Sequence, residues 1–213
     1  APLRAVQGLA QALYEDYGDK LDARGLEYAQ RLVSAAERMD GLIQDLLGYS
    51  RLTRAALRPE HIDLSTVLDD AREQLAADIL RSGARLTVKH PLPPVLAHRA
   101  TLTQAVSNLL GNAIKFVAPG AQPKIAVWAE IRGDTVRLWI EDNGIGIDPE
   151  HHERVFRAFE RLHGSETYPG TGIGLAIVRK GMERMGGHAG VESSADHGSR
   201  FWIELPLSKK THD

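Results

Sequence analysis

The residues best suited to chemistry in this chain of 213 residues gather in three short stretches. The first is Asn108-Leu109-Leu110-Gly111-Asn112-Ala113-Ile114-Lys115-Phe116. Asn108, Asn112 and Lys115 fall at i, i+4 and i+7, which puts two amides and an ammonium on one face of a helix. An amide oxygen can hold Mg²⁺, which needs few protein ligands when phosphates and water complete its shell. Lys115 can neutralise phosphate charge, and Phe116 can offer its ring to a purine. The second stretch is Glu141-Asp142-Asn143-Gly144-Ile145-Gly146-Ile147-Asp148, which closes the alternating run 135–140, a half-buried strand by its pattern. Asp142 can accept from a buried N–H donor such as an exocyclic amine, and Gly144 and Gly146 let the backbone approach a ligand closely. The third is Gly170-Thr171-Gly172-Ile173-Gly174-Leu175, at the opening of a helix, where backbone N–H groups bind phosphate well. It has neither the preceding strand and G-x-G-x-x-G spacing of a dinucleotide fold nor the Gly-Lys-Ser/Thr ending of a P-loop. Taken singly, each stretch also has a plain reading: a polar helical stripe, a tight turn, a hinge.

Stepping from these residues to the elements that must hold them, Leu3, Val6, Leu9 and Leu13 predict a helix to about residue 15, followed by a polar turn at 15–20. A longer helix is expected over 22–57, with Leu32, Ala36, Met39, Ile43, Leu46 and Ser50 in steps of four and three, and Val33, Leu42 and Leu47 alongside. This face is expected to pack. The two helices differ in length, so the shorter one's remaining turns are expected before Ala1, and two chains are expected to pair into a four-helix bundle. Arg58-Pro59-Glu60 ends the long helix and opens a mixed region.

There, a helix carrying Val67, Leu68, Ala71, Leu75, Ile79 and Leu80 is expected after a Ser65 cap. A short strand at 86–88 and a proline-rich connection at 91–94 precede a strong helix over 99–116. Strands around 125–129 and 136–140 flank the turn Arg132-Gly133-Asp134. A mobile polar loop with a short helix is expected over 148–170, a helix over 173–185 ended by Gly186-Gly187, and last strands at Val191 and 201–205.

Composition excludes several classes. A net charge of −2 and a pI near 6.5 give no basic footprint for nucleic acid. The absence of cysteine removes disulfides, thiol nucleophiles and thiolate zinc sites. No apolar stretch approaches the ~20 residues of a membrane span, and the opening Ala-Pro-Leu-Arg is neither a signal nor a transit peptide. A cytoplasmic location with no direct membrane contact is expected. His151-His152-Glu153 suggests a metal site only superficially, since adjacent histidines point different ways, and solvated lid residues are expected there.

In this order, N-L-L-x-N-A-x-K-F, D-N-G-I-G-I, Phe156-Arg157-Ala158-Phe159 and G-T-G-I-G-L resemble the N, G1, F and G2 boxes of a sensor histidine kinase. Gly198-Ser199 fits that family's third glycine motif, the 22–57 helix resembles its dimerisation and phosphotransfer hairpin, and Ala1-Pro2-Leu3 matches the tail of its H box. Arg161-Leu162-His163 and Tyr168-Pro169-Gly170-Thr171-Gly172 are similar to phytochrome-type members. The resemblance implies an α+β chain: a helical hairpin over 1–58, forming a four-helix bundle in a homodimer, then an α/β sandwich ATP-binding domain with a mixed sheet over 59–213. It implies ATP and Mg²⁺ as cofactors, with Asn112 on Mg²⁺, Asn108 beside the triphosphate and Lys115 on phosphate. Phe116 would line the base pocket, Asp142 would accept from the adenine amine, and Gly144, Gly146 and Ile147 would lie against the base. Arg161 would reach phosphate, while Gly170, Thr171, Gly172, Gly174 and Leu175 would close a lid.

Gyrase- and chaperone-like relatives carry a glutamate general base where Asn108 stands, and an amide cannot do that work. The γ-phosphoryl is therefore expected to await another nucleophile: a histidine, and after it an aspartate of a response-regulator receiver domain. Counting back from Pro2, that histidine falls just before Ala1, and none of the nine histidines present matches an H box. The competing reading is a non-catalytic nucleotide-binding dimerisation scaffold.

Overall fold

The computed structural model describes residues 2–54, 57–162, 168 and 170–208. Helix α1 (Pro2–Tyr17) and helix α2 (Ala23–Arg54) form an antiparallel hairpin through a 3-10 turn at Gly18–Lys20. At 16 and 32 residues they differ twofold in length, as expected. The seam departs from expectation within a single chain. Ala36 is buried, but Leu32, Met39, Ile43 and Leu46 stay exposed, as do Leu42 and Leu47. A lone hairpin has no second layer to cover a stripe this wide.

A two-stranded antiparallel ribbon follows, β1 (Glu60–Ile62) with β3 (Val95–Ala97), both absent from the sequence reading. Between them lie helices α3 (Leu64–Gln74) and α4 (Ala76–Ser82) and strand β2 (Arg85–Val88). The expected single helix is thus broken at Leu75, and Leu80 is 85% exposed rather than on the packed face. The cap is Asp63, whose carboxylate accepts from Ser65 N at 2.8 Å; Ser65 lies inside the helix.

Helix α5 (Arg99–Lys115) starts where the His98 ring accepts from Thr101 N. Leu102, Val106, Leu109 and Leu110 are fully buried, each contributing roughly 1.5–3 kcal/mol. Their burial fixes the helix's rotation and turns the Asn108–Asn112–Lys115 stripe away from the core. Strands β4 (Lys124–Arg132) and β5 (Thr135–Asp142) form the predicted hairpin. Helix α6 (Gly174–Arg184) and strands β6 (His188–Ser193) and β7 (Ser199–Pro206) complete the chain. The five-stranded sheet runs β2-β4-β5-β7-β6, parallel at β2–β4 and antiparallel elsewhere. It is the mixed sheet expected, with α3, α5 and α6 on one face.

The open face carries Trp128, Trp139 and Trp202 in one cross-strand row, with the Arg137 guanidinium 3.9 Å from the Trp202 ring centre. This row stiffens β5, the central strand that delivers Asp142.

Candidate active site

A cavity of about 420 Å³ lies between α5, the end of β5 and the segment leading into α6. Asn108, Asn112, Lys115, Phe116, Asp142, Gly146, Ile147, Arg161, Gly170, Thr171, Gly172, Gly174 and Leu175 all line it. Three stretches separated by up to 67 positions therefore converge on one space. Gly144 is the exception.

Asp142 forms one end. Its Oδ1 accepts from Gly144 N at 2.8 Å and from Ser199 N at 3.1 Å. Both donors hold the same oxygen, so Oδ2 is left to accept from a ligand. Burial pushes the carboxyl up to about 6, against the opposing pull of the two N–H donors, and the charge of Glu141 adds to the rise. Ile145, Ile147, Val155, Leu175 and Phe201 supply apolar walls nearby.

Of the two glycines after Asp142, Gly146 lines the cavity and Gly144 does not. A Cβ on Gly144 would stand 2.3 Å from the Phe116 carbonyl oxygen, so its bareness serves backbone packing. That contact lets Ile145 N donate to Phe116 O at 2.9 Å, pinning the loop to the end of α5. Gly146 lies in the cavity wall at φ +72°, where its Cβ would meet Ser194 O at 2.0 Å.

The opposite end is polar and cationic. Asn108 Nδ2 donates to Gly174 O at 3.3 Å, tying α5 to the first turn of α6. The Asn112 side-chain amide makes no hydrogen bond to another described residue. Lys115 Nζ lies 4.2 Å from the Phe116 ring centre and 2.8 Å from where a Gly170 Cβ would be. Burial lowers its ammonium to about 8; the Arg161 charge pushes the same way and the Asp45 charge opposes it. Arg161 donates to Gly170 O and Tyr168 O, both at 2.9 Å, so its guanidinium braces the backbone that leads into α6.

Among the described residues no cluster of three or more His, Cys, Asp or Glu could hold a metal. His151 and His152 instead contact Glu150 and the Ile147 carbonyl. His163, Pro169 and His212 lie outside the described residues, as does Ala1. A metal at Asn112 would have one protein amide to hold it, which suits an ion whose shell is completed by phosphate and water.

Residues 97–209 match the family model described as histidine kinase-, DNA gyrase B-, and HSP90-like ATPase. Residues 1–55 match the His Kinase A (phospho-acceptor) domain. The chain belongs to the histidine kinases. It is 37% identical over 212 residues to cyanobacterial phytochrome A of a Nostoc species, covering 100% of this chain and 28% of that protein. Sensor histidine kinase AruS of Pseudomonas aeruginosa is 34% identical, with 97% of this chain and 21% of that protein covered. The crystal structure of full-length ShkA in complex with AMPPNP superposes with a TM-score of 0.72 at 31% identity, covering 98% of this chain and 43% of that one. This histidine kinase chain thus spans only about a fifth to a third of the length of the curated relatives it matches.

Three further residues line the kinase cavity without a role assigned from the sequence: Ser199 and Tyr168 fall within family-like stretches, and Asp45 falls in no motif. Ser199 contributes a backbone N–H, which no side-chain pattern encodes; its only signal was the preceding Gly198, whose Cβ would fall 2.1 Å from Asp142 O. Tyr168 packs its ring 5.2 Å from that of Phe116 and donates to Val117 O at 3.1 Å. Asp45 comes from the hairpin: it lines the cavity and accepts from the Thr171 hydroxyl.

Proposed function

We propose that the cavity binds ATP with Mg²⁺ and that the chain serves protein-histidine phosphorylation in two-component signalling. The observation that carries this is polarity. A buried carboxylate with one free oxygen stands at an apolar end, and two amides with an ammonium stand at the other. Asp142 Oδ2 accepts from the adenine amine, Phe116 and Ile147 bound the base, and Lys115 neutralises phosphate. Gly170, Thr171, Gly172, Gly174 and Leu175 form the lid that Arg161 braces. Asn112 is the residue to hold Mg²⁺, which when bound supplies charge neutralisation to the phosphates.

Asn108 has no carboxylate with which to activate water, so ATP is held for transfer rather than rapid hydrolysis. The acceptor is a histidine of the helical hairpin, placed by H-box spacing upstream of Ala1, and a response-regulator aspartate takes the phosphoryl group next. The exposed seam at Leu32, Met39, Ile43 and Leu46 suits a second copy of the hairpin. We assign the hairpin to 1–58 and the catalytic unit to 59–213. The β1–β3 ribbon supports that division, because His61 and Pro94 hydrogen-bond Ser208 at the far end of the unit. No helix among the described residues is long and apolar enough to cross a membrane; use of the cellular ATP pool places this region in the cytoplasm.

The test extends the chain upstream by one or two helical turns and supplies Mg²⁺ and γ-labelled ATP. Acid-labile label on the extended chain but not on the present one is expected. ATP binding without label on either would replace the kinase with a nucleotide-regulated scaffold.

A further inference from the structure

Helix α2 has a second face. Gly41, Asp45, Gly48 and Leu52 recur at four, three and four positions, on the side opposite Met39, Ile43, Leu46 and Ser50. This face lies against the catalytic unit. A Cβ on Gly41 would meet the Thr171 methyl at 3.9 Å, and one on Gly48 would meet Gln104 Nε2 at 3.1 Å. Leu52 and Tyr49 pack with Ile173 and Ile177, and Arg184 donates to Leu52 O at 2.8 Å. Within this contact Asp45 accepts from the lid hydroxyl of Thr171 and forms part of the cavity wall shared by Lys115, Asn108 and Asn112.

The cavity's polarity decides what Asp45 would feel. With the base held at Asp142, a nucleotide's phosphates extend toward Lys115, and each further phosphoryl brings negative charge closer to the Asp45 end. The Asp45 carboxylate partly balances the charge of Lys115, on which it acts directly. A third phosphate would compete with that carboxylate for the same cationic, hydroxyl-lined space, and like charges in a partly buried site repel strongly.

We propose that Asp45 makes the hairpin-docked arrangement selective against the third phosphate, so that ATP frees the lid from α2 while ADP leaves it docked. This rests on the nucleotide reading of the cavity. A ligand that favours the undocked arrangement shifts the chain toward it by its differential affinity, and weakens its own apparent binding by the cost of undocking. Asp45 is therefore a specificity-determining residue contributed by the hairpin to a site otherwise built by the catalytic unit.

Titration calorimetry of the full chain with Mg²⁺ and either AMPPNP or ADP tests this on wild type and Asp45→Asn, an isostere that removes charge and keeps a hydrogen-bonding side chain. The substitution is expected to tighten AMPPNP roughly five- to tenfold and ADP less than about twofold. Small-angle scattering of the wild type supplies the second reading: AMPPNP should enlarge the radius of gyration and ADP should not. Equal shifts for both nucleotides, no shift for either, or expansion by both would overturn the proposal while leaving the nucleotide site standing. Binding of neither nucleotide to the wild type would sink the nucleotide reading and this proposal with it.

Discussion

The two ends of the cavity are built in opposite ways. At the Asp142 end the contacts run through backbone groups of the sheet, the loop after it and the end of α5: Gly144 N and Ser199 N hold the carboxylate, and Phe116 O holds Ile145 N. At the Lys115 end the wall is assembled from parts with separate support, namely α5, the lid and the hairpin helix α2. The floor is held by backbone groups, whereas the segment entering α6 is held by side chains. On the proposed nucleotide reading, such a division would let one end fix which ligand binds while the other responds to what state that ligand is in.

Substitutions should separate the two ends. The largest effect is expected from Gly198→Val, at φ +72° with Asp142 O only 2.1 Å from the new Cβ. The floor must deform, costing roughly 3 kcal/mol or more of stability, readable in a denaturant titration, together with loss of nucleotide binding. A stable variant with native affinity would refute the rigid floor. Lys115→Ala acts at the other end and should weaken ATP about tenfold with the unfolding midpoint nearly unchanged. Tyr168→Phe removes the hydroxyl that donates to Val117 O and should weaken binding roughly two- to fivefold.

Acidity sharpens the same contrast. Asp142 must be ionised to accept from an amine, so binding should fall as pH drops through about 6. Lys115 must be protonated to meet phosphate, so binding should fall again as pH rises through about 8. A bell between those limits is expected in a pH series of affinities, and Lys115→Ala should erase its alkaline limb alone.

Local pattern made much of this legible. The Asn108–Asn112–Lys115 stripe needs only helical spacing, and the glycine stretches need only their order along the chain. The elements that escaped are those whose reason is tertiary. Strands β1 and β3 have three residues each, too few for alternation to register, and exist because they pair with one another. The break at Leu75 has no glycine or proline to mark it. The carboxylate of Asp63 outcompetes Ser65 two residues on, where both types are acceptable caps. Asp45 reads as one more charge on an amphipathic helix until a contact across 126 positions brings it to the lid. Motif residues were visible because they act in groups; supporting residues were not, because they act through the backbone or singly.

Central to all of this is that Asp142 stands ionised in a buried place for a ligand's sake. In the empty protein the folded chain keeps a proton that the unfolded chain releases between about pH 4 and 6, so ionising Asp142 destabilises the fold as pH rises through that window. The most direct measurement is therefore a paired one on Asp142→Asn at pH 8: calorimetric titration with ATP and Mg²⁺, and the unfolding free energy of the empty chain. ATP affinity should fall roughly 100-fold while the empty variant gains about 1–3 kcal/mol over wild type. Undiminished ATP affinity, or a variant less stable than wild type, would contradict a carboxylate kept there to bind the base.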